Sequence, residues 1–137
     1  MKASAKLKIQ ELLSRAAYYF DERRLADLAN CFSVDATMLV NIAGVGDVGP
    51  FDGREAIMQL MSQTLDSQTD VRRHVISNFF FEAEEKKAAT VVSSLVVFSV
   101  ENGEIKAIIS GIYRDEVIRK GGVWRIRDRR LDLDLPF

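Results

Sequence analysis

The sequence predicts an α+β domain in which helices come first and a meander of long antiparallel strands follows. Three observations predict it. Apolar residues recur at helical spacing in the first half of the chain, the period falls to two from Arg72 onward, and glycine-containing turns separate the later segments. At 137 residues the chain fits one domain, 1–137, that buries enough surface to fold without a metal or a disulfide. Hydrophobic residues at 47% and charged residues at 28% exclude a mainly disordered or collagen-like chain.

Each element has its own signal. Ile9, Leu12, Leu13, Ala16 and Phe20 form one apolar stripe, which predicts an amphipathic helix from about Ser4 to Phe20. Leu25, Leu28, Cys31 and Phe32 predict a second, short helix, and the Asp21–Arg24 link between the two is short enough to force a tight corner. Ala36–Val40 is a β-forming run, and Gly44, Gly46, Gly49 and Pro50 then mark a loop. Asp52 three residues before Glu55 has the capping-box spacing. It opens a third helix whose apolar face is Ile57, Leu60, Met61, Thr64 and Leu65. Four strands follow: Arg72–Glu82, Ala88–Glu101, Glu104–Arg119, and Val123 to about Asp134, with Asn102-Gly103 and Gly121-Gly122 as turns. Apolar residues crowd both faces of these strands, more than three helices on one face can cover, so the expectation is a homo-oligomer, a dimer or trimer.

Charge and cysteine content narrow the function classes. With 19 basic and 20 acidic residues the net charge is −1, which gives no global reason to bind nucleic acid or an anionic membrane surface. The N-terminal segment carries lysines but no apolar run of signal or membrane-span length, so the reading is cytoplasmic with no membrane partner. Cys31 is the single cysteine, which excludes an intrachain disulfide and a multi-cysteine metal site. No phosphate-cradling glycine loop, metal triad or serine nucleophile is present, and neither a metal nor a cofactor is expected. The partner left by these exclusions is a small molecule or another subunit.

Chemistry has few carriers. The single histidine, His74, alternates on a strand with Ile76, Asn78 and Phe80. Asp21, at the end of the first helix, can cap the next helix or point toward the sheet; if it reaches His74 it fixes the imidazole tautomer and strengthens the base. Tyr18, Tyr19 and Tyr113 are phenols able to donate to a developing oxyanion. Arg125, Arg127 and Arg129 alternate along the last strand, either as a solvated face or with one of them turned inward.

Certain stretches resemble the SnoaL-like (NTF2-like) superfamily over nearly the whole chain: Ile9–Leu13, Phe20-Asp21, Cys31–Thr37 and Phe51–Ile57. Two more, Arg73–Asn78 and Gly111–Glu116 running on to Gly122–Arg129, are similar to the branch of scytalone dehydratase and hexachlorocyclohexane dehydrochlorinase. The resemblance implies a cone-shaped, cystatin-like fold, three N-terminal helices on a curved, mainly antiparallel sheet enclosing one pocket. It further implies Asp21 and His74 as a catalytic dyad, with Arg129 or Tyr18 as the donor to a departing group. The pocket expected from it is lined by Phe20, Val40, Leu60, Met61, Ile76, Asn78, Phe80 and Trp124 and takes a small apolar, cyclic molecule. Val40 stands where ketosteroid isomerase has its catalytic aspartate and scytalone dehydratase a tyrosine, and Ala16 aligns with the dehydrochlorinase's helix-one lysine, so none of those substrates transfers. The activity implied is that of a cofactor-independent lyase, dehydratase or dehydrohalogenase in type, or an isomerase. A noncatalytic ligand-binding or assembly role is the alternative, such as that of the ring-hydroxylating dioxygenase small subunit, to which the Leu131–Phe137 tail is similar.

Overall fold

A computed structural model describes residues 1–137. The order is α1 (Ala3–Asp21), α2 (Leu25–Asn30), β1 (Phe32–Ile42), β2 (Gly46–Asp52), α3 (Arg54–Ser67), β3 (Val71–Glu84), β4 (Ala88–Glu101), β5 (Glu104–Lys120) and β6 (Val123–Leu133). The strands form one open, curved sheet in the order β2-β1-β6-β5-β4-β3, antiparallel throughout except for the parallel β1–β6 pair. Three helices pack against it, as the α+β reading predicts.

The helices form where their apolar stripes find the sheet. Ile9, Leu13 and Ala16 of α1 and Ile57 and Met61 of α3 are buried in one core with Phe32, Val91, Val117 and Ile126 from the strands. At the end of α1 the chain reverses through Arg23, whose φ of +59° places a non-glycine residue in the left-handed region. The Arg23 guanidinium donates to Leu65 O at 3.1 Å, so the strained corner is tied to the end of α3.

Three boundaries differ from the sequence reading. Cys31 and Phe32 are not helical: α2 stops at Asn30 and Phe32 already starts β1, because Phe32 pairs with Ile126 and is buried under the helices. The Gly44–Pro50 loop contains a strand, β2, whose glycines and proline disguise it; as an edge strand it tolerates a residue without an N–H. Asp52 does not cap α3. It is the last residue of β2, opposite Thr37, and the N-cap is Gly53 at φ +92° with no side-chain cap.

Hairpins and bulges then fix which residues face inward. Asn102 and Gly103 (φ +53° and +75°) and Gly121 and Gly122 (φ +58° and +77°) are two-residue turns whose positive φ matches the twist of the strands they join. Register shifts interrupt β3 between Ser77 and Phe80, β5 opposite Val97/Phe98, and β6 between Ile126 and Asp128. Each extra residue swaps the faces of the strand beyond it. On β6, Trp124 and Ile126 are buried before the bulge, and Arg129, Leu131 and Leu133 after it. On β3 the left-handed Asn78 (φ +56°) turns Phe79 and Phe81 against the core and leaves Phe80 exposed.

Gly111 of β5 lies opposite Leu133 of β6. A Cβ there would lie 2.6 Å from Asp132 O, a backbone atom that cannot swing away. Gly111→Ala is expected to cost about 1–3 kcal/mol through forced strand separation, read as a lower urea midpoint at unchanged m-value.

Candidate functional site

One cavity of about 200 Å³ opens between α1, α3 and the concave face of the sheet, lined by 19 residues of which 15 are hydrophobic. Phe20, Val40, Leu60, Met61 and His74 line it. Met38, Phe51, Leu95, Val97, Ile109, Leu131 and Leu133 complete much of the apolar wall, and Tyr113, Thr64, Gln68 and Arg72 bring most of its remaining polar groups. Such a site is dry enough for a small number of polar contacts to dominate.

Asp21 and His74 meet. The imidazole Nδ1 is 2.5 Å from Asp21 Oδ1, and the backbone N–H of His74 donates to Asp21 Oδ2 at 2.7 Å. Both carboxylate oxygens are thereby engaged by one residue, across 53 positions of sequence, which leaves Asp21 no part in capping α2. Both side chains are nearly buried, 6% exposed for Asp21 and 10% for His74, and Phe20 packs its ring 5.1 Å from the imidazole. When the ring is neutral, an Nδ1–H donated to the carboxylate puts the lone pair on Nε2.

Several expected site residues lie elsewhere. Tyr18 is half exposed on the outer face of α1 and does not line the cavity; its ring meets Tyr19 instead. Asn78 and Phe80 face solvent because the β3 bulge has swapped the strand's faces, and Ile76, opposite Leu95, packs against the Leu95–Val97 cluster without lining the cavity. Trp124 is buried, but it precedes the β6 bulge and belongs to the core under the helices.

Arg129 is turned inward yet stays outside the cavity lining. Its guanidinium holds buried Asp115 through Nε at 2.7 Å and Nη2 at 3.1 Å, and stacks 4.1 Å from the centre of the Tyr113 ring. Burial opposes the charge on Arg129, but Asp115 outweighs it and holds the guanidinium ionised above the ordinary arginine range. Burial likewise pushes the Tyr113 phenol up, against the pull of Arg129 and with small contributions from Asp115 and Asp21, so it is a neutral donor at the cavity wall. Arg125 and Arg127 lie on the outer side, donating to Asn30 O and Glu116. The sequence carries the signal that separates these three arginines: apolar residues occupy even positions at Trp124 and Ile126 and odd positions at Leu131 and Leu133, so the strand must change phase between them.

At the mouth, Arg72 faces the cavity two residues before His74, and its Nε donates to both oxygens of Asp70 at 3.2 and 3.1 Å. Ser99 donates a further hydrogen bond to Asp70. No group of three His, Cys, Asp or Glu side chains in the chain could hold a metal ion, and no helix is long and apolar enough to cross a membrane.

Comparison with known proteins places this geometry among relatives. The SnoaL-like domain family matches residues 1–130. A protein of unknown function with a cystatin-like fold from Nostoc punctiforme superposes with a TM-score of 0.82 at 25% identity, over 99% of this chain and 97% of that one. The beta subunit of a candidate aromatic-ring-hydroxylating dioxygenase from Novosphingobium aromaticivorans gives 0.83 at 20% identity, over 98% and 92%. A candidate scytalone dehydratase from the same organism gives 0.78 at 21%, over 96% and 85%. The sequence matches none of the curated proteins.

The Asp70 carboxyl titrates below its ordinary range, chiefly because Ser99 donates to it, with Arg72 adding to the pull against a smaller effect of burial. Folding therefore favours its ionised form, a contribution present above the unfolded value of about 4 and lost as the pH falls through the lower folded value. Asp70→Asn should show a stability deficit at about pH 7 that narrows toward zero in acid, measured from urea midpoints across the pH range.

Proposed function

Because the chain belongs to the family of SnoaL-like domains, matched over residues 1–130, we propose that it is a cofactor-independent lyase or isomerase acting on a small, largely apolar, cyclic substrate. The observation that carries this reading is the Asp21–His74 pair, whose imidazole lines a mostly apolar cavity. In the reaction His74 Nε2 takes a proton from an activated C–H bond. Asp21 holds the ring in that tautomer and stabilises the imidazolium that forms. The electron pair left on carbon either forms a double bond as hydroxide or halide departs, or is delocalised onto a neighbouring carbonyl as an enolate. In the dehydration case the imidazolium returns its proton to the departing hydroxide as water; in the dehydrohalogenation case halide leaves as the anion and the imidazolium releases its proton to solvent; in the isomerase case it returns the proton to a second carbon.

A donor is needed where negative charge develops, and Tyr113 is the phenol that lines the cavity. Arg129 acts through it: stacked on the ring and fixed by Asp115, the cation favours charge flowing toward the phenol oxygen. This assigns Arg129 a positioning role and leaves Tyr18 none. The scytalone dehydratase likeness supports the dehydratase form of the reaction, and the dioxygenase beta-subunit likeness favours, as a second reading, a binding or assembly role without turnover.

The sheet's outer face supports a homo-oligomer in the same proposal. Val71, Val100 and Ile105 lie opposite one another across β3, β4 and β5 and are exposed, with Val75 nearby. Light scattering should return a multiple of the 15.4 kDa chain mass, two or three; a monomer at micromolar concentration contradicts the assembly.

A thermal-shift screen run in phosphate buffer, which occupies any surface anion site, tests the substrate class: flat aromatic, steroid-like and polyketide-like compounds should raise Tm, and nucleotides and sugar phosphates should add nothing, since their charge would be buried unpaired in the cavity. For any compound turned over, His74→Ala and Asp21→Asn should lower kcat by about 10²–10⁴-fold, and Tyr113→Phe by about 10–10²-fold, with circular dichroism unchanged. Equal rates in wild type and the His74 and Asp21 variants would end the enzymatic reading; ligand stabilisation with no turnover in any protein supports the binding role.

A further inference from the structure

A second, open cleft of about 650 Å³ lies away from the cavity, where the start of β1 meets the β5–β6 hairpin and the first residue of α3. It exists because two ladders fail at one place. Four residues of β1, Ser33 to Ala36, stand between the Phe32–Ile126 and Thr37–Asp128 pairs, against the single Arg127 on β6. The same Arg127 is the extra residue of β6 against β5, between the Val117–Ile126 and Glu116–Asp128 pairs. β-Bulges that coincide in this way re-aim side chains into the space they open.

The cleft is built from charge. Arg54, Lys120, Arg125 and Arg127 line it, with Asp35 as its carboxylate. Arg127 is paired to Glu116 at 2.6 Å, whereas Arg54, Lys120 and Arg125 appear in none of the chain's ion pairs. Arg54 donates to Phe32 O through Nε and Nη2, and Arg125 to Asn30 O through Nε. These bonds hold the two guanidiniums in place through neutral carbonyls, so their charge is not compensated. Asp35 is likewise unpaired. Three free cations against one free carboxylate leave a local excess of positive charge in a chain whose net charge is −1.

A second observation points to a ligand. Ser33 is 9% exposed and lines the cleft, and its hydroxyl is buried with no hydrogen-bond partner, one of two such side-chain oxygens in the chain. An orphaned hydroxyl costs stability unless something in the site accepts its proton. Fixed guanidiniums and a free ammonium form the donor set of an oxyanion site, which the Ser33 hydroxyl, shielded from solvent, joins by rotating about its Cα–Cβ bond toward the cleft. We propose that this cleft binds a compact oxyanion, a phosphate or carboxylate group, with Ser33, Lys120 and Arg125 as its main donors and Asp35 limiting its affinity.

The test is a titration of sodium phosphate and, separately, sodium acetate into ¹⁵N-labelled protein at low, constant ionic strength, followed by NMR. Saturable shifts are expected in the amides of residues 33–36 and 120–127, with those around His74 unmoved. Lys120→Gln should weaken binding about fivefold and Asp35→Asn strengthen it by a similar factor, as expected for one charge at close range near a surface. The opposite signs separate binding from a folding defect, since neither side chain holds another residue in place. Saturation by phosphate alone assigns a phosphate group to the cleft, and saturation by acetate alone or by both equally assigns a carboxylate. Shifts that fail to saturate with either anion, or equal affinities in wild type and both variants, overturn the site.

Discussion

Successive residues of a strand face opposite sides of a sheet, and a curved sheet that must pack helices at one end and wall a cavity at the other cannot satisfy both with an unbroken alternation. The chain resolves this with bulges. Before the bulge, β6 gives Trp124 and Ile126 to the core beneath the helices; after it, the strand gives Arg129, Leu131 and Leu133 to the cavity side. β3 does the reverse, presenting Arg72 and His74 to the cavity and then, past Asn78, Phe79 and Phe81 to the core. The candidate site and the candidate anion cleft both follow from where these extra residues fall.

Two carboxylate pairs are buried in the fold, and they differ in what they do with charge. Asp115 and Arg129 form a closed, bidentate pair whose geometry consumes both carboxylate oxygens. Breaking such a pair leaves one charge stranded, at a cost of about 3–5 kcal/mol, whereas apolar replacement of both can be neutral. Its retention therefore makes sense through what Arg129 touches, the face of Tyr113. The other pair, Asp21 and His74, is directional: the carboxylate takes the Nδ1 side and leaves the opposite nitrogen to the cavity. One pair is closed on itself, and the other leaves a ring nitrogen without a partner from the chain.

Much of this was legible in the sequence because helical stripes and long alternating strands are strong signals. The stripe from Ile9 to Phe20, the Asn102-Gly103 turn and the four later strands all follow from periodicity and turn chemistry alone. Two of the features that escaped share one cause, an irregular residue within a regular element. Gly46, Gly49 and Pro50 disguised β2 as a loop, and Asn78 carried Phe80 from the expected cavity face to solvent. Phe79-Phe80-Phe81 could not reveal the swap, since either phase buries an aromatic ring. Tyr113 could be named as a phenol but not chosen over Tyr18, because only the folded sheet brings β5 against the cavity.

Cys31 ends α2, with its thiol 3.6 Å from Asp27 O and its side chain among Leu28 and Phe32 of the core. Burial pushes the thiol up from its ordinary range, with Arg129 pulling weakly the other way, so the nucleophilic thiolate is scarce while the chain is folded. Alkylating reagents can then modify it only when the junction between α2 and β1 opens. As the single cysteine, it is a built-in clock for that opening: the rate of thiol modification in native buffer reports how often the helical cover lifts from the sheet, without any label being added to the protein.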